Sequence, residues 1–517
     1  MKNHIFLFLM IGCFVSAHSQ SDLIVDVFGN VSGKNLVTDS IIRETEYVFA
    51  KKITHSVLDS VSMRLTLQLM TDVKGKKEQG GLGNMLVFDL KKSEVVWDKP
   101  MDYSNASISQ FGNYIIEFTR AQANLLNFNT GIVRNVISNS LYYVDPKRGM
   151  GFGYKTNFGV ADASKVEGVD MKTGETRWKR KITHVFGWNN VLPLNDSVVL
   201  VTSDGLHSVN LQDGSGWDYS TATGRNDYST TIAANLVGIG FGLLTGNFVS
   251  TSGHDHLTDL VSNVLADKSN IYFASKDKVT CLNHDGNVKW ENNSAKKFRS
   301  SALVFIKDSV LYVLNKGVAF LNGRRINYGK PFLEAIDTST GKDIFNVSLK
   351  DQNFDFVDYS VLKNNILILS ENNIGCYSSV DGKRLGYKIF DTDKYGDFTG
   401  FVSSQIFVKQ ESGYVRLVDS ESSKVYLTTT KNQTMVLNAD LEMTNQYKFD
   451  DFYICYFSND KFDFLARGDE TIVLDKSQKE IAYFKASSNA FVVGNKLFEV
   501  LEDSLIEVDL TDLLSVK

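Results

Sequence analysis

The stretch Glu167-Gly168-Val169-Asp170-Met171-Lys172-Thr173-Gly174-Glu175-Thr176-Arg177-Trp178 decides the fold. It reads as strand, tight turn, strand. Asp170 ends the first strand, Thr173-Gly174 form the turn, and Trp178 anchors the second. Asp and Asn bond to nearby backbone, and Gly accepts positive φ without a Cβ clash, so the pattern is hairpin chemistry. The flanking residues are β-branched or aromatic, as half-buried strands prefer. Trp brings a large apolar area and a ring N–H that needs a partner.

Weaker copies recur outward from this stretch. Asp89 and Trp97 have the same separation as Asp170 and Trp178, and so do Asp337 and Phe345, with Gly341 between them. Asn127 with Gly131 repeats the turn without a Trp. Asn210, Gly214 and Trp217 form a shortened copy, Asn283, Gly286 and Trp290 another, and Ser378 with Gly382 a degraded one. The polar positions recur at about 40 residues with insertions, which predicts β-propeller blades of four strands. The expected fold is an all-β closed propeller, eight blades favoured and seven the alternative.

These residues resemble the PQQ-like, or quinoprotein-like, β-propeller repeats, whose pattern runs Ala-x-Asp-x-x-Thr-Gly-x-x-x-Trp. Ala335, Asp337, Thr340 and Gly341 match in one copy, and Asp170, Thr173, Gly174 and Trp178 in another. The resemblance spans about residues 80–480. It implies that each Trp docks between neighbouring blades. The non-catalytic branch resembles in architecture the propeller subunit of the outer-membrane β-barrel assembly machinery. Quinoprotein dehydrogenases of the family hold PQQ and calcium with an adjacent cysteine pair, and this chain has no Cys-Cys pair.

The first 19 residues read as a secretory signal. Lys2 gives the positive start, Ile5 to Val15 the apolar run, and Ala17-His18-Ser19 the cleavage site. A lipoprotein signal ending at Cys13 is the alternative. Residues 20–517 are then a single propeller domain in the periplasm or outside the cell. Net charge is −5, which does not fit a nucleic-acid binder. No run of apolar residues is long enough for a transmembrane helix. Asp22 to Phe28 is an apolar strand expected to pair with C-terminal strands and close the ring.

One insertion, about 225–266, interrupts the repeat. Gly238, Gly242 and Gly246 recur every four residues, with Phe241 among them. Leu257, Leu260, Val261, Val264 and Leu265 follow at helical spacing, so a small helical insertion is expected. The segment 232–246 is the candidate surface for a protein partner, or for peripheral membrane contact. Lys74 to Gly83 and Lys316 to Pro331 read as loops.

No catalytic, cofactor or metal site stands out. Cys281, Cys376 and Cys455 read as buried free thiols. His254-Asp255-His256 lacks a third ligand of the kind zinc needs, and Asp255 reads as a helix N-cap. Asp391 to Asp397 has calcium-like oxygen spacing but lacks the bidentate Glu, so a solvated turn is expected. The expected role is a non-enzymatic, protein-binding scaffold of the cell envelope. A PQQ- and calcium-dependent oxidoreductase and a carbohydrate-binding propeller are the alternatives.

Overall fold

The computed structural model describes residues 23–515, apart from 71–80, 120–122, 138, 158–159, 183–189, 203–204, 221–256, 259, 294–297, 322–323, 350–354, 403–405, 411–412, 417–423 and 449–450. Strand dominates. Eight separate four-stranded antiparallel sheets follow one another along the chain, beside one three-stranded and one 11-stranded sheet. Each four-stranded sheet is named here by the polar residue of its last turn. The Asp170 sheet, for example, runs Asn139–Asp145, Met150–Asn157, Val160–Asp170 and Thr176–Arg180. The others carry Asp89, Asn127, Asn210, Asn283, Asp337, Ser378 and Asn438. The 11-stranded sheet contains two further meanders. One runs from Phe452–Ser458 to Glu480–Lys485, and the other from Phe491–Val493 to Ser504–Asp509.

The inner strands of these sheets are buried on both faces, because side chains alternate and a neighbouring sheet covers each side. Leu125 packs with Val169 and Met171 of the following sheet, whereas Leu126 packs with Val87 and Trp97 of the preceding one. Tyr312 and Val313 divide in the same way between the Ser378 and Asn283 sheets. The apolar clusters pass from sheet to sheet in chain order. Phe462 and Phe464 pack with Leu497 and Val508 of the last meander. Phe498 and Leu505 of that meander pack back on Leu65, Leu67 and Phe88 of the Asp89 sheet.

The repeat residues sit at these sheet-to-sheet contacts. Each polar residue caps its own turn: Asp170 Oδ1 accepts from the Lys172 and Thr173 amides at 2.7 and 3.2 Å. Trp178 Nε1 then donates 2.8 Å to the Leu211 carbonyl in the next turn. Trp97 reaches Phe128 O, Trp217 reaches His284 O and Trp290 reaches Thr338 O, at 2.8–2.9 Å. The glycine of the receiving turn lies under the ring. A Cβ on Gly214, at φ +73°, would stand 2.5 Å from Trp178, so both the turn conformation and the close approach require glycine there. Gly131, Gly286 and Gly341 face Trp97, Trp217 and Trp290 in the same way.

Where Trp is missing, other groups take over its two tasks. Phe345 fills the space against Gly382, and the Tyr312 hydroxyl donates 2.9 Å to Ser379 O. Asn135 Nδ2 donates 2.6 Å to Lys172 O, beside Gly174. Between the Ser378 and Asn438 sheets the sizes are exchanged. Gly386 stands at the Trp place, and Leu441 at the glycine place of the receiving turn, with φ 61° and 1 % exposure. A Cβ on Gly386 would lie 3.2 Å from Leu441 Cδ1. At the contact between the last meander and the first sheet, Ser93 replaces glycine at φ 58°. Its hydroxyl bonds Glu507 at 2.5 Å and accepts from Lys496 at 2.7 Å.

The N-terminal strands β1 (Ile24–Asn35) and β2 (Ile41–Phe49) lie inside the 11-stranded sheet. The pairing with C-terminal strands differs in detail from the expectation. Residues Gly33–Asn35 of β1 meet Ala482–Phe484, and Glu44–Val48 of β2 meet Ser504–Val508. Among the described residues, Ile24–Phe28 pairs only with β2. Lys316 to Pro331 is not an open loop: Val318–Leu321 and Arg324–Asn327 pair as antiparallel strands. Nor is 257–266 helical. It carries the short strands Leu257–Thr258 and Leu265–Ala266 and a bridge from Val261 to Ser275. Its described apolar residues divide among three clusters, with Val261 and Val264 in one, Leu260 in a second and Leu265 against a third, rather than along one helical stripe, and Asn263 bonds both the amide and the carbonyl of Val304. Most of the Lys74–Gly83 run lies outside the described residues, and its end, Leu82-Gly83, begins a strand.

Three outcomes follow from the locks. Trp178→Ala removes the ring from a buried contact and should cost about 3–5 kcal/mol in urea unfolding. Trp178→Phe should cost about 1 kcal/mol, for the lost bond to Leu211. Gly386→Trp and Leu441→Gly should each destabilise alone, whereas the double variant should recover much of the sum, because the pair then has the common lock geometry. A strictly additive double-mutant cycle would show that the two positions are not a swapped lock. Finally, hydroxyls of Ser339 and Thr340 and the Thr340 amide hold the Asp337 carboxylate down at about 2. Ser477 and the Lys479 amide lower Asp475 as well. A depressed folded pKa means stability that is present above the ordinary carboxylate range and lost as pH falls through the folded value. Thermal unfolding should therefore weaken from about pH 4 towards pH 2, and Asp337→Asn should flatten part of that slope.

Candidate functional site

The predicted repeat positions are all occupied by sheet-to-sheet locking, so their rings and carboxylates are committed to structure. Burial pushes the Cys281 thiol up to about 11 and raises Cys376 and Cys455 as well. All three are free and buried, which suits packing rather than nucleophilic attack. The Asp391 run forms the one-turn helix α1 (Thr392–Tyr395). Asp391 Oδ1 caps it, accepting from the Asp393 and Lys394 amides at 3.0 and 3.3 Å. Among the described residues no group of three His, Cys, Asp or Glu side chains is placed to hold a metal, and no helix is long and apolar enough to cross a membrane. His254-Asp255-His256 and the candidate partner surface Gly238, Phe241, Gly242 and Gly246 lie outside the described residues.

A crevice of about 230 Å³ opens between the Asn127 and Asp170 sheets. Leu125 and Phe128 form its floor, and Arg134 and Lys172 stand at its polar wall.

The feature that packing leaves unexplained is β1. Ser32 and Asn35 are buried, but every residue from Val25 to Val31 is exposed. Four of those seven are apolar, with Val25 at 59 %, Phe28 at 46 % and Val31 at 57 % exposure. A strand exposed on both faces gains little from burial and needs another reason to persist. One edge of β1 is held by β2 from Ile24 to Lys34. The other edge is covered from Ser32, whose hydroxyl bonds the amide and carbonyl of Lys485, to Asn35, so among the described residues 24–31 pair with nothing on that side. The Val27 amide bonds the Asp26 carboxylate at 3.1 Å. Across the hairpin Phe28 faces Glu46, Asn30 faces Glu44 and Asp26 faces Val48. Opposed residues share a face, so Asp26, Glu44 and Glu46 surround Phe28 on one side. Val27, Gly29 and Val31 lie on the other, opposite Tyr47, Thr45 and Arg43. The apolar run was visible in the sequence as a closing strand. That it would stand clear of the core depended on where the sheet turned away from it.

No family model matches the chain, and no curated protein matches it. Similar solved structures include BamB from Moraxella catarrhalis, at 11 % identity and TM-score 0.32, covering 78 % of this chain and 96 % of that one. Apo AztD from Citrobacter koseri is 10 % identical with TM-score 0.32, covering 71 % of this chain and 91 % of that one. The quinohemoprotein alcohol dehydrogenase ADHIIG from Pseudomonas putida HK5 is 9 % identical with TM-score 0.32, covering 75 % and 71 %.

Proposed function

We propose that the protein is a closed β-propeller that works as a non-catalytic, protein-binding scaffold in the periplasm or outside the cell. Ring closure is supported by the apolar clusters that run from sheet to sheet and return from the last meander to the first sheet. Export is supported by the signal-like first 19 residues. A rigid ring with a displayed element is a common plan for recognition, because loops and edges carry binding while the scaffold holds them in place.

The observation that carries the binding reading is β1: an apolar strand with an unfilled edge, kept exposed on a rigid body. The insertion containing Gly238, Phe241, Gly242 and Gly246 is proposed as a second contact surface on sequence grounds alone.

The test places a photo-crosslinking residue at Phe28, Phe241 or exposed Val380 in tagged full-length protein, in intact cells. Envelope proteins should be captured from position 28, and Val380 serves as a control on a different sheet. Deleting 232–246 should lower total capture without loss of the folded state. If none of the positions captures a protein, the scaffold reading falls.

A further inference from the structure

We propose that the outer edge of β1 between Val25 and Val31 accepts an extended segment of another protein as an added strand, and that this segment alternates basic and apolar residues. The proposal rests on the scaffold reading above and names the chemistry of its partner.

The edge already receives a strand. Ala482–Phe484 pair with Gly33–Asn35, and the ladder then stops while β1 continues. An incoming strand would extend the same ladder along 24–31, gaining backbone hydrogen bonds that water now makes. Proteins that leave long apolar edges open usually blunt them with lysine, proline or bulges at the tip. Between Val25 and Val31 there is no lysine and no proline, and the bulges fall at the two ends, at Ile24/Asp26 and Val31/Gly33.

Side chains specify the partner. On one face Asp26, Glu44 and Glu46 surround Phe28, and none of the three has an ion-pair partner among the described residues. Lysine or arginine on the added strand would meet these carboxylates, with its stem or charge against the Phe28 ring. On the other face Val27 and Val31 flank Gly29, and a Cβ built on Gly29 meets nothing within 4 Å. That gap leaves room for a large apolar side chain. The hairpin from Ile24 to Phe49 carries four carboxylates, Asp26, Asp39, Glu44 and Glu46, against Lys34 and Arg43, and Lys34 is paired with Asp39 at 2.5 Å. Two copies joined edge to edge would bring those like-charged faces together, which disfavours self-pairing.

The test uses purified full-length mature protein and short fluorescent peptides, read by anisotropy. A peptide alternating lysine and valine should bind about tenfold tighter than one of the same composition in blocked order, and than one alternating glutamate and valine. Asp26→Lys with Glu46→Lys should reverse the preference towards the glutamate–valine peptide, and Phe28→Lys should weaken the lysine–valine peptide about fivefold. These side chains are exposed or half-exposed, so circular dichroism and the melting temperature should stay close to those of the parent. Equal binding of alternating and blocked peptides, or an unchanged preference after charge reversal, would overturn the proposal. A dimer in sedimentation that Phe28→Lys dissociates would also overturn it, by giving the edge to a second copy. Protein capture in cells from Phe241 but none from Phe28 would leave the scaffold reading standing and remove the added strand.

Discussion

The contact between one sheet's last strand and the next sheet's turn sets everything else. It joins a large ring to a glycine and a donor to a carbonyl, as Trp178 does with Gly214 and Leu211. Each such contact seals one edge of an apolar layer buried between two sheets, and every inner strand depends on having both layers present. The Asx-capped turns matter because they hold the receiving carbonyl in place. Neither the turn nor the ring works alone. A capped turn without a ring leaves a groove, and a ring without the close-fitting turn leaves a buried N–H without its bond.

Much of this was legible in the sequence, because one residue type does one task. Asp or Asn caps, Gly makes room and Trp fills it, and the spacing between them is fixed by the strand register. Legibility ended where two residues shared a task. Tyr312 supplies the hydrogen bond that Phe345 lacks, from a strand far from the repeat motif. Gly386 and Leu441 keep the total volume of the lock while exchanging the partners, so neither position matches the pattern. Beyond residue 400 the motif fades for this reason, although Asn438 and Asp475 still cap their turns.

Periodicity misled in one place and composition in another. The spacing of Leu257, Leu260, Val261, Val264 and Leu265 fits a helix, yet Leu260, Val261, Val264 and Leu265 divide among three apolar clusters. Asn263 holds the segment flat against the strand Leu303–Lys307. Glycines around Lys316 suggested an open loop, where Val318–Leu321 and Arg324–Asn327 pair as antiparallel strands. The displayed edge of β1 was the least legible feature. Its residues are those of a core strand, and only the length of the neighbouring strand decides that they stay outside.

The seating of β1 and β2 also imposes an order in time. Glu44 pairs with Val508, so strands early in the described residues are completed by strands near their end. Until then the hairpin has no sheet to join, and the Asp89 sheet lacks the last meander that packs on it. Contacts of such long sequence separation form slowly, because a long loop must close first. The intervening sheets can stack on one another as they appear, each locking to its predecessor. Only the packing of the last meander on the Asp89 sheet has to wait. During that interval an apolar strand is unprotected, which makes the newly made protein, rather than the folded one, the form most in need of a chaperone.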